Sequence, residues 1–287
     1  MSSTSHLDKV KKLRELTGVG FKDCNIAINE CNGDIDKSIE HLRIKGISKA
    51  NKKMERNAKE GLICIYEEND KASIMEINCE TDFVAKNKEF LNFSETLSKI
   101  CFEQKGELGK LKKIKMKDGN TVEDNVVRLI SKIGEKITIG RSNFFDKDNC
   151  MNFSYVHTSV KKNIGKLGAI VSLKSKKFDE KIKEFGHKLA MHIAAANPMS
   201  IDPDSLDKNI FENEKKIINE ELKNSRKNAN IVEKILKGRL EKFKQENTLI
   251  NQTWIIDPKK KVKDIMGELG KENGVTIKNF VRYKIGE

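Results

Sequence analysis

From Ala72 to Cys79 the chain alternates, with Ala72, Ile74, Glu76 and Asn78 set against Ser73, Met75, Ile77 and Cys79. A period of two is the mark of a strand whose two faces meet different surroundings. The period then changes. Phe90, Phe93, Leu97, Ile100 and Cys101 recur at helical spacing. Between the two patterns lies Asn78-Cys79-Glu80-Thr81-Asp82-Phe83-Val84-Ala85-Lys86-Asn87, a polar turn carrying one large aromatic. A strand that runs straight into a helix demands a fold in which helices back a sheet. Phe83, at the tip of the turn, is either tucked into its own core or offered to a partner. Periodicity favours packing on Phe90.

The remaining chain sorts around this switch into an α+β fold. Leu7, Val10, Leu13 and Leu16 predict a first helix, broken at Thr17-Gly18-Val19-Gly20. Phe21, Cys24, Ala27 and Ile28 mark a second. Asn32-Gly33-Asp34 is a turn with Asp34 available as an N-cap. Ile35, Ile39 and Leu42 line a third helix, expected to stop near Gly46. Residues 1–48 therefore form a small three-helix module of the ubiquitin-associated type. Residues 49–60 have almost no apolar anchors and form a charged linker or exposed helix. Residues 61–147 make a first lobe. It holds a hairpin turning at Glu68-Asn69-Asp70, the helix after Phe83, a second helix from Val122 to Ile133 ended by Gly134, and a third strand from Ile137. Residues 148–287 make a second lobe with strands around Phe153 and Gly168–Leu173, a helix over 178–196 stopped at Asn197-Pro198, and a last strand over 275–285. Inserted in it, residues 205–243 show two narrow apolar seams with charged backs, an antiparallel helical hairpin joined by Asn224-Ser225-Arg226-Lys227-Asn228. Both sheets are expected to be antiparallel.

Charge and cysteine usage narrow the function classes. The formal net charge of +13 suits an acidic partner, but lysine is spread along the chain and often stands beside Glu or Asp. Lys49–Lys59 and Lys259–Lys263 are the local basic clusters. Aromatics make up 6% of the sequence, thin for a protein that stacks bases, so no specific nucleic-acid reader is expected. The six cysteines form no CxxC and read as buried thiols of a reducing compartment. Met1–Lys9 has no apolar signal-peptide core, and Leu167–Leu173 is too short to cross a bilayer. A cytoplasmic protein without a membrane partner is expected.

Catalytic and cofactor signals are missing. Gly18-Val19-Gly20 is too short to cradle phosphate and falls between helices. No nucleophile sits in an elbow context. His187 and His192 are five apart, out of phase for one-face metal ligation, and His192 reads as a packed histidine. Glu80 and Asp82 share a face of a strand, yet nothing else converges on them. A binding protein remains, with no cofactor and no chemistry of its own.

Several of these stretches, in this order, resemble the elongation factor Ts family. They are Leu13-Arg14-Glu15-Leu16-Thr17-Gly18-Val19-Gly20, Asp23-Cys24, Asn32-Gly33-Asp34, Thr81 to Asn87, Ile133-Gly134-Glu135, Ser154-Tyr155-Val156-His157, Met191-His192-Ile193-Ala194-Ala195 with Asn197-Pro198, Gly238-Arg239 and Phe280-Val281-Arg282-Tyr283. The resemblance implies a guanine-nucleotide exchange factor for the GTPase elongation factor Tu, from a bacterium or a mature organellar matrix. It implies that the N-terminal module and first lobe dock on the GTPase domain, and that the second lobe reaches another domain of the partner. Thr81, Asp82, Phe83 and Val84 would disturb the magnesium and phosphate site, with Phe83 as a wedge. Gly134, His157, Arg14, Thr17, Gly18, Val19 and Gly20 would support the contact. Asp82 either faces the partner's magnesium shell or caps the helix behind it. The family's longer members carry a further C-terminal helix; with the last residues Ile285-Gly286-Glu287, that extra contact is not expected here. The competing reading is a ubiquitin-type or RNA-binding adaptor built on the N-terminal module and the basic surface.

Overall fold

The structure, a computed structural model, describes residues 5–223 and 228–287; the hairpin connection at 224–227 lies outside them. The fold is α+β with antiparallel sheets. At the N-terminus α1 (His6–Thr17), α2 (Phe21–Glu30) and α3 (Ile35–Lys53) pack around Val10, Leu13, Cys24, Ala27, Ile28 and Leu42. Half of the first helix's apolar stripe faces outward: Leu7 and Leu16 are exposed, as is Phe21. The Asp34 carboxylate accepts from the Lys37 N–H at 3.0 Å and starts α3.

The third helix does not stop at Gly46; it runs on to Lys53 and takes in part of the charged segment. Gly46 is there for close packing. A Cβ on it would lie 2.8 Å from the Ser131 hydroxyl of α7 (Val122–Ile133). Ala50, one turn further, is buried in the core of the first lobe, and Arg43 bonds Asp124 at 2.8 Å. Helix α3 therefore ties the N-terminal helices to the first lobe.

The first sheet is built on β1 (Glu60–Glu68) and β2 (Lys71–Cys79), paired from Glu60↔Cys79 to Glu68↔Lys71. Asn69 and Asp70 close this hairpin with φ of 54° and 62°, the backbone that a two-residue turn requires. On one side β2 pairs with β3 (Ile137–Phe145). On the other, β1 pairs with the two-residue β5 (Ile164–Gly165). Three strands were expected; the fourth is too short to carry a periodic signal. One face of this sheet buries Leu62, Cys64, Met75 and Ile77 under α5 (Lys88–Glu103) and α7, with Phe90, Leu97 and Ile130 from the helices. Short helices α4 (Asp82–Ala85) and α6 (Leu108–Leu111) flank α5. Burial pushes the Cys101 thiol up to about 11 and the Cys64 thiol higher still, so both stay protonated.

The second sheet orders β4 (Cys150–His157), β6 (Leu167–Lys174) and β7 (Thr276–Lys284). Helix α8 (Glu180–Ala196) covers it with Ile182, Phe185, Leu189 and Ile193 inward, and α11 (Val262–Asn273) leads into β7. The two sheets meet through Ile63, Ile65, Ile74, Ile170 and Tyr283. Arg141 seals the seam: it donates to Glu76 at 2.7 Å and lies 4.5 Å above the Tyr283 ring. The inserted hairpin is α9 (Lys208–Lys223) and α10 (Ala229–Asn247), tied by Arg239 to Glu221. Ile218 and Leu222 are buried in its seam, whereas Ile217 and Ile231 face out.

His192 is a packed residue. Its Nδ1 accepts from the Ile255 N–H at 3.4 Å, its Nε2 meets the Gln252 side-chain amide oxygen Oε1 at 3.0 Å, and its ring stacks on Trp254. Burial holds its pKa below the ordinary histidine range. The unfolded chain then binds a proton that the folded one refuses. Stability conferred by the neutral ring is present above the unfolded pKa, near 6.5, and is lost as pH falls towards the lower folded value. Melting temperatures between pH 7.5 and 5.5 should fall on acidification in the wild type and fall less steeply in His192→Gln.

A candidate partner-binding turn

Strand β2 ends at Cys79, whose thiol donates to the Thr81 carbonyl at 3.2 Å. Burial, with the Glu135 carboxylate nearby, pushes that thiol up to about 12. Thr81 then caps α4 by accepting from the Val84 N–H. Val84 and Ala85 turn inward and are buried in the first lobe's core. Asn87 caps α5 by accepting from Glu89 and Phe90. Apolar anchors at 84, 85 and 90 pull the chain down on both sides, and what is left standing is Phe83, 80% exposed. It does not pack on Phe90, which is fully buried below.

The turn is pinned from α7. Gly134 ends that helix with φ 90°, a backbone that a side chain would strain, and lets Glu135 fold back. The two Glu135 oxygens accept from the Thr81 hydroxyl at 2.7 Å and the Thr81 N–H at 3.0 Å. Glu80 accepts from the Lys136 N–H at 2.6 Å and from Arg56. Three contacts to residues 135–136 thus hold the tip, and Glu80 and Asp82 point to different partners rather than forming a carboxylate pair. A hydrogen bond to a charged group contributes about 1.5–3 kcal/mol. Glu135→Ala is therefore expected to speed amide hydrogen exchange in a peptide over residues 80–86 by roughly tenfold or more, at ~1.4 kcal/mol per tenfold, while β6 keeps its protection.

Asp82 caps nothing: Thr81 and Asn87 fill the cap positions. Its carboxylate bonds the Lys86 ammonium at 2.9 Å, and this bond, with the charges of Lys86 and Lys166, holds it below the usual carboxylate range. Lys166 also joins the turn to His157. Its backbone N–H donates to the His157 carbonyl at 3.3 Å, and its ammonium bonds Glu60. His157 is exposed at the end of β4, with Nδ1 3.0 Å from the Tyr155 hydroxyl.

The N-terminal turn lies at the same end. Gly18 ends α1 in the left-handed region, and its position faces the Lys132 ammonium, 3.1 Å from where a Cβ would stand. Lys132 in turn bonds Glu89, at the start of α5. Thr17 bonds back to the Leu13 carbonyl, Val19 borders a cavity of about 170 Å³ against α7, and Arg14 and Gly20 are exposed. Glu135, Lys166 and Lys132 are the organising residues that sequence reasoning missed. Glu135 alone carried a signal, as the third residue of Ile133-Gly134-Glu135. Among the described residues no group of His, Cys, Asp and Glu is placed to hold a metal ion, and no helix is long and apolar enough to cross a membrane.

A family profile described as Elongation factor TS matches residues 80–287, a stretch that begins at the pinned turn. Over 280 residues the chain is 37% identical to Elongation factor Ts of Zymomonas mobilis, covering 97% of this chain and 91% of that protein. It is 39% identical over 282 residues to Elongation factor Ts of Rhodospirillum rubrum, and 37% over 284 residues to that of Caulobacter vibrioides, with the same coverage. The chain belongs to the elongation factor Ts family.

Proposed function

We propose that this protein binds the GTPase elongation factor Tu in its GDP form and promotes GDP release, so that GTP can rebind. A GTPase holds its nucleotide mainly through magnesium and the phosphate-cradling loop. An exchange factor supplies no bond chemistry; it stabilises the nucleotide-free partner, and linkage requires that it weaken the nucleotide by the same factor. The observation that carries this reading is Phe83, exposed on a turn held by Glu135 and anchored by Val84. A rigid aromatic wedges well, because it brings area into a pocket while freezing few rotors. Asp82, anionic beside Lys86 and Lys166, stands next to the wedge, where it would compete for the partner's magnesium shell.

In this reading the Thr17–Gly20 turn and the first lobe take the partner's nucleotide domain, and His157 with the second lobe reaches a further domain. Val84 acts by anchoring rather than by touching the partner, and Gly134 by placing Glu135. An adaptor built on residues 5–48 alone would leave the pinned turn at 81–87 without a role. The test is release of fluorescent GDP from elongation factor Tu with and without the protein. Acceleration of at least tenfold, about 1.4 kcal/mol off the barrier, is expected; unchanged release contradicts the proposal.

A further inference from the structure

A long lysine-rich run is remote from the exchange turn. Residues 105–117 hold six lysines against one carboxylate, Glu107, which is taken by Lys110 at 2.8 Å. Lys112, Lys113, Lys115 and Lys117 are exposed and make no ion pair among the described residues. Asp118, at the end of the run, is bound by Arg128 and two asparagines. Of the two clusters that stand out in the sequence, the one at 259–263 is partly neutralised, with Lys260 paired to Glu268.

Helices α5 and α7 fix where this segment lies. Both have one end at the Phe83 turn, α5 its N-terminus and α7 its C-terminus. The lysine segment bridges their other ends: Gly106 comes just after α5, and the Val122 N–H at the start of α7 bonds the Ile114 carbonyl. At 1.5 Å per residue, the helices set the two sites about 18–24 Å apart. Beside the segment, at the far end of α5, three part-exposed aromatics adjoin. Tyr66 and Phe102 have ring centroids 5.0 Å apart, and Phe102 and Phe144 5.5 Å. Gly106 brings the lysine segment against Phe144, with a Cβ position 3.5 Å from that side chain.

Unpaired lysines alone would suit any polyanion. A lysine segment that packs against an aromatic ring at Gly106 matches single-stranded nucleic acid, whose phosphates take the charge and whose bases take the rings. We infer that Lys112, Lys113, Lys115 and Lys117, together with the Tyr66–Phe102–Phe144 group, form a docking surface for single-stranded RNA, read without sequence specificity and open while the exchange turn is engaged.

The test uses fluorescence anisotropy of a labelled twelve-residue oligouridine at 50 to 200 mM KCl. The wild type should bind with affinity that falls steeply with salt. K112Q/K113Q/K115Q/K117Q should bind at least tenfold more weakly at 50 mM and flatten the log–log salt slope by about 2–3, since each phosphate contact on a single strand contributes roughly 0.7. Its effect on GDP release from elongation factor Tu should match the wild type's. Tyr66→Leu should weaken binding severalfold at an unchanged slope. K174Q/K176Q/K177Q/K181Q removes the same charge from exposed lysines of the second lobe and should keep most of the affinity. Equal losses in the two quadruple variants, or an unchanged slope in the first, would overturn the proposal. So would binding to phosphatidylglycerol vesicles that the first variant loses while it keeps oligouridine, which would make the patch a membrane contact.

Discussion

Phe83→Ala is expected to abolish most of the acceleration of GDP release and leave the fold as it is. The two halves of this expectation have separate causes. Phe83 is 80% exposed and contributes almost nothing to the core; substitutions at such positions usually change stability by less than about 0.5 kcal/mol. The turn keeps its shape, because Thr81, Glu135, Val84 and Asn87 form it and none of them leans on the Phe83 ring. The loss falls instead on the complex. Truncating a central aromatic anchor costs about 2 kcal/mol or more, roughly a 30-fold effect. Stopped-flow release of fluorescent GDP, with a melting curve on the same preparation, separates a missing wedge from a misfolded protein. Phe83→Leu should fall between the two, since it keeps apolar bulk without the flat ring.

Gly61→Ala should produce the opposite pattern: a fold that fails, and a site that fails with it. Gly61 sits in β1 with φ 147°, and a Cβ there would stand 2.1 Å from the Ile77 carbonyl oxygen of β2. Neither atom can yield, because both belong to the paired backbone at Gly61↔Asn78, at the root of the Thr81 turn. Backbone strain and overpacking each cost on the order of 1–3 kcal/mol, so a loss of roughly 3 kcal/mol or more is expected. Gly109→Ala is the matched control: a Cβ there meets nothing within 4 Å, and the position lies in helix α6. It should leave the melting temperature unchanged or slightly raised, as alanine is the better helix former.

The stripe at 90–101 was legible because helical periodicity reports the buried face, and the alternation at 72–79 marked a strand, although both faces of β2 are buried, one under the helices and one against the second sheet. Also legible were the helix-ending glycines 18 and 134 and the inward face of α8. The exposure of Phe83 was not legible from its own neighbours. It depends on Glu135, 54 residues away from the Thr81 that it holds. Gly46 misled for a related reason. A glycine that ends a helix and one that lets another helix approach look alike until Ser131 is placed beside it. Strand β5 is two residues long, too short for any period. The lysines at 112–117 were diluted by a chain rich in lysine throughout; what sets them apart is the absence of paired carboxylates, a property of the folded surface.

The central claim is that a fixed aromatic turn couples binding of this protein to expulsion of a nucleotide. Linkage gives it a sharp form. The affinity of the protein for elongation factor Tu, measured by titration calorimetry with and without saturating GDP, must differ by the factor by which the protein weakens GDP binding. For the wild type that factor should be about 10- to 100-fold, within the usual range of coupling energies of about 1–3 kcal/mol. In Phe83→Ala it should shrink towards one while the GDP-bound partner is still recognised. A wild-type affinity that is the same with and without GDP, or a Phe83→Ala variant that keeps the full factor, would contradict the account.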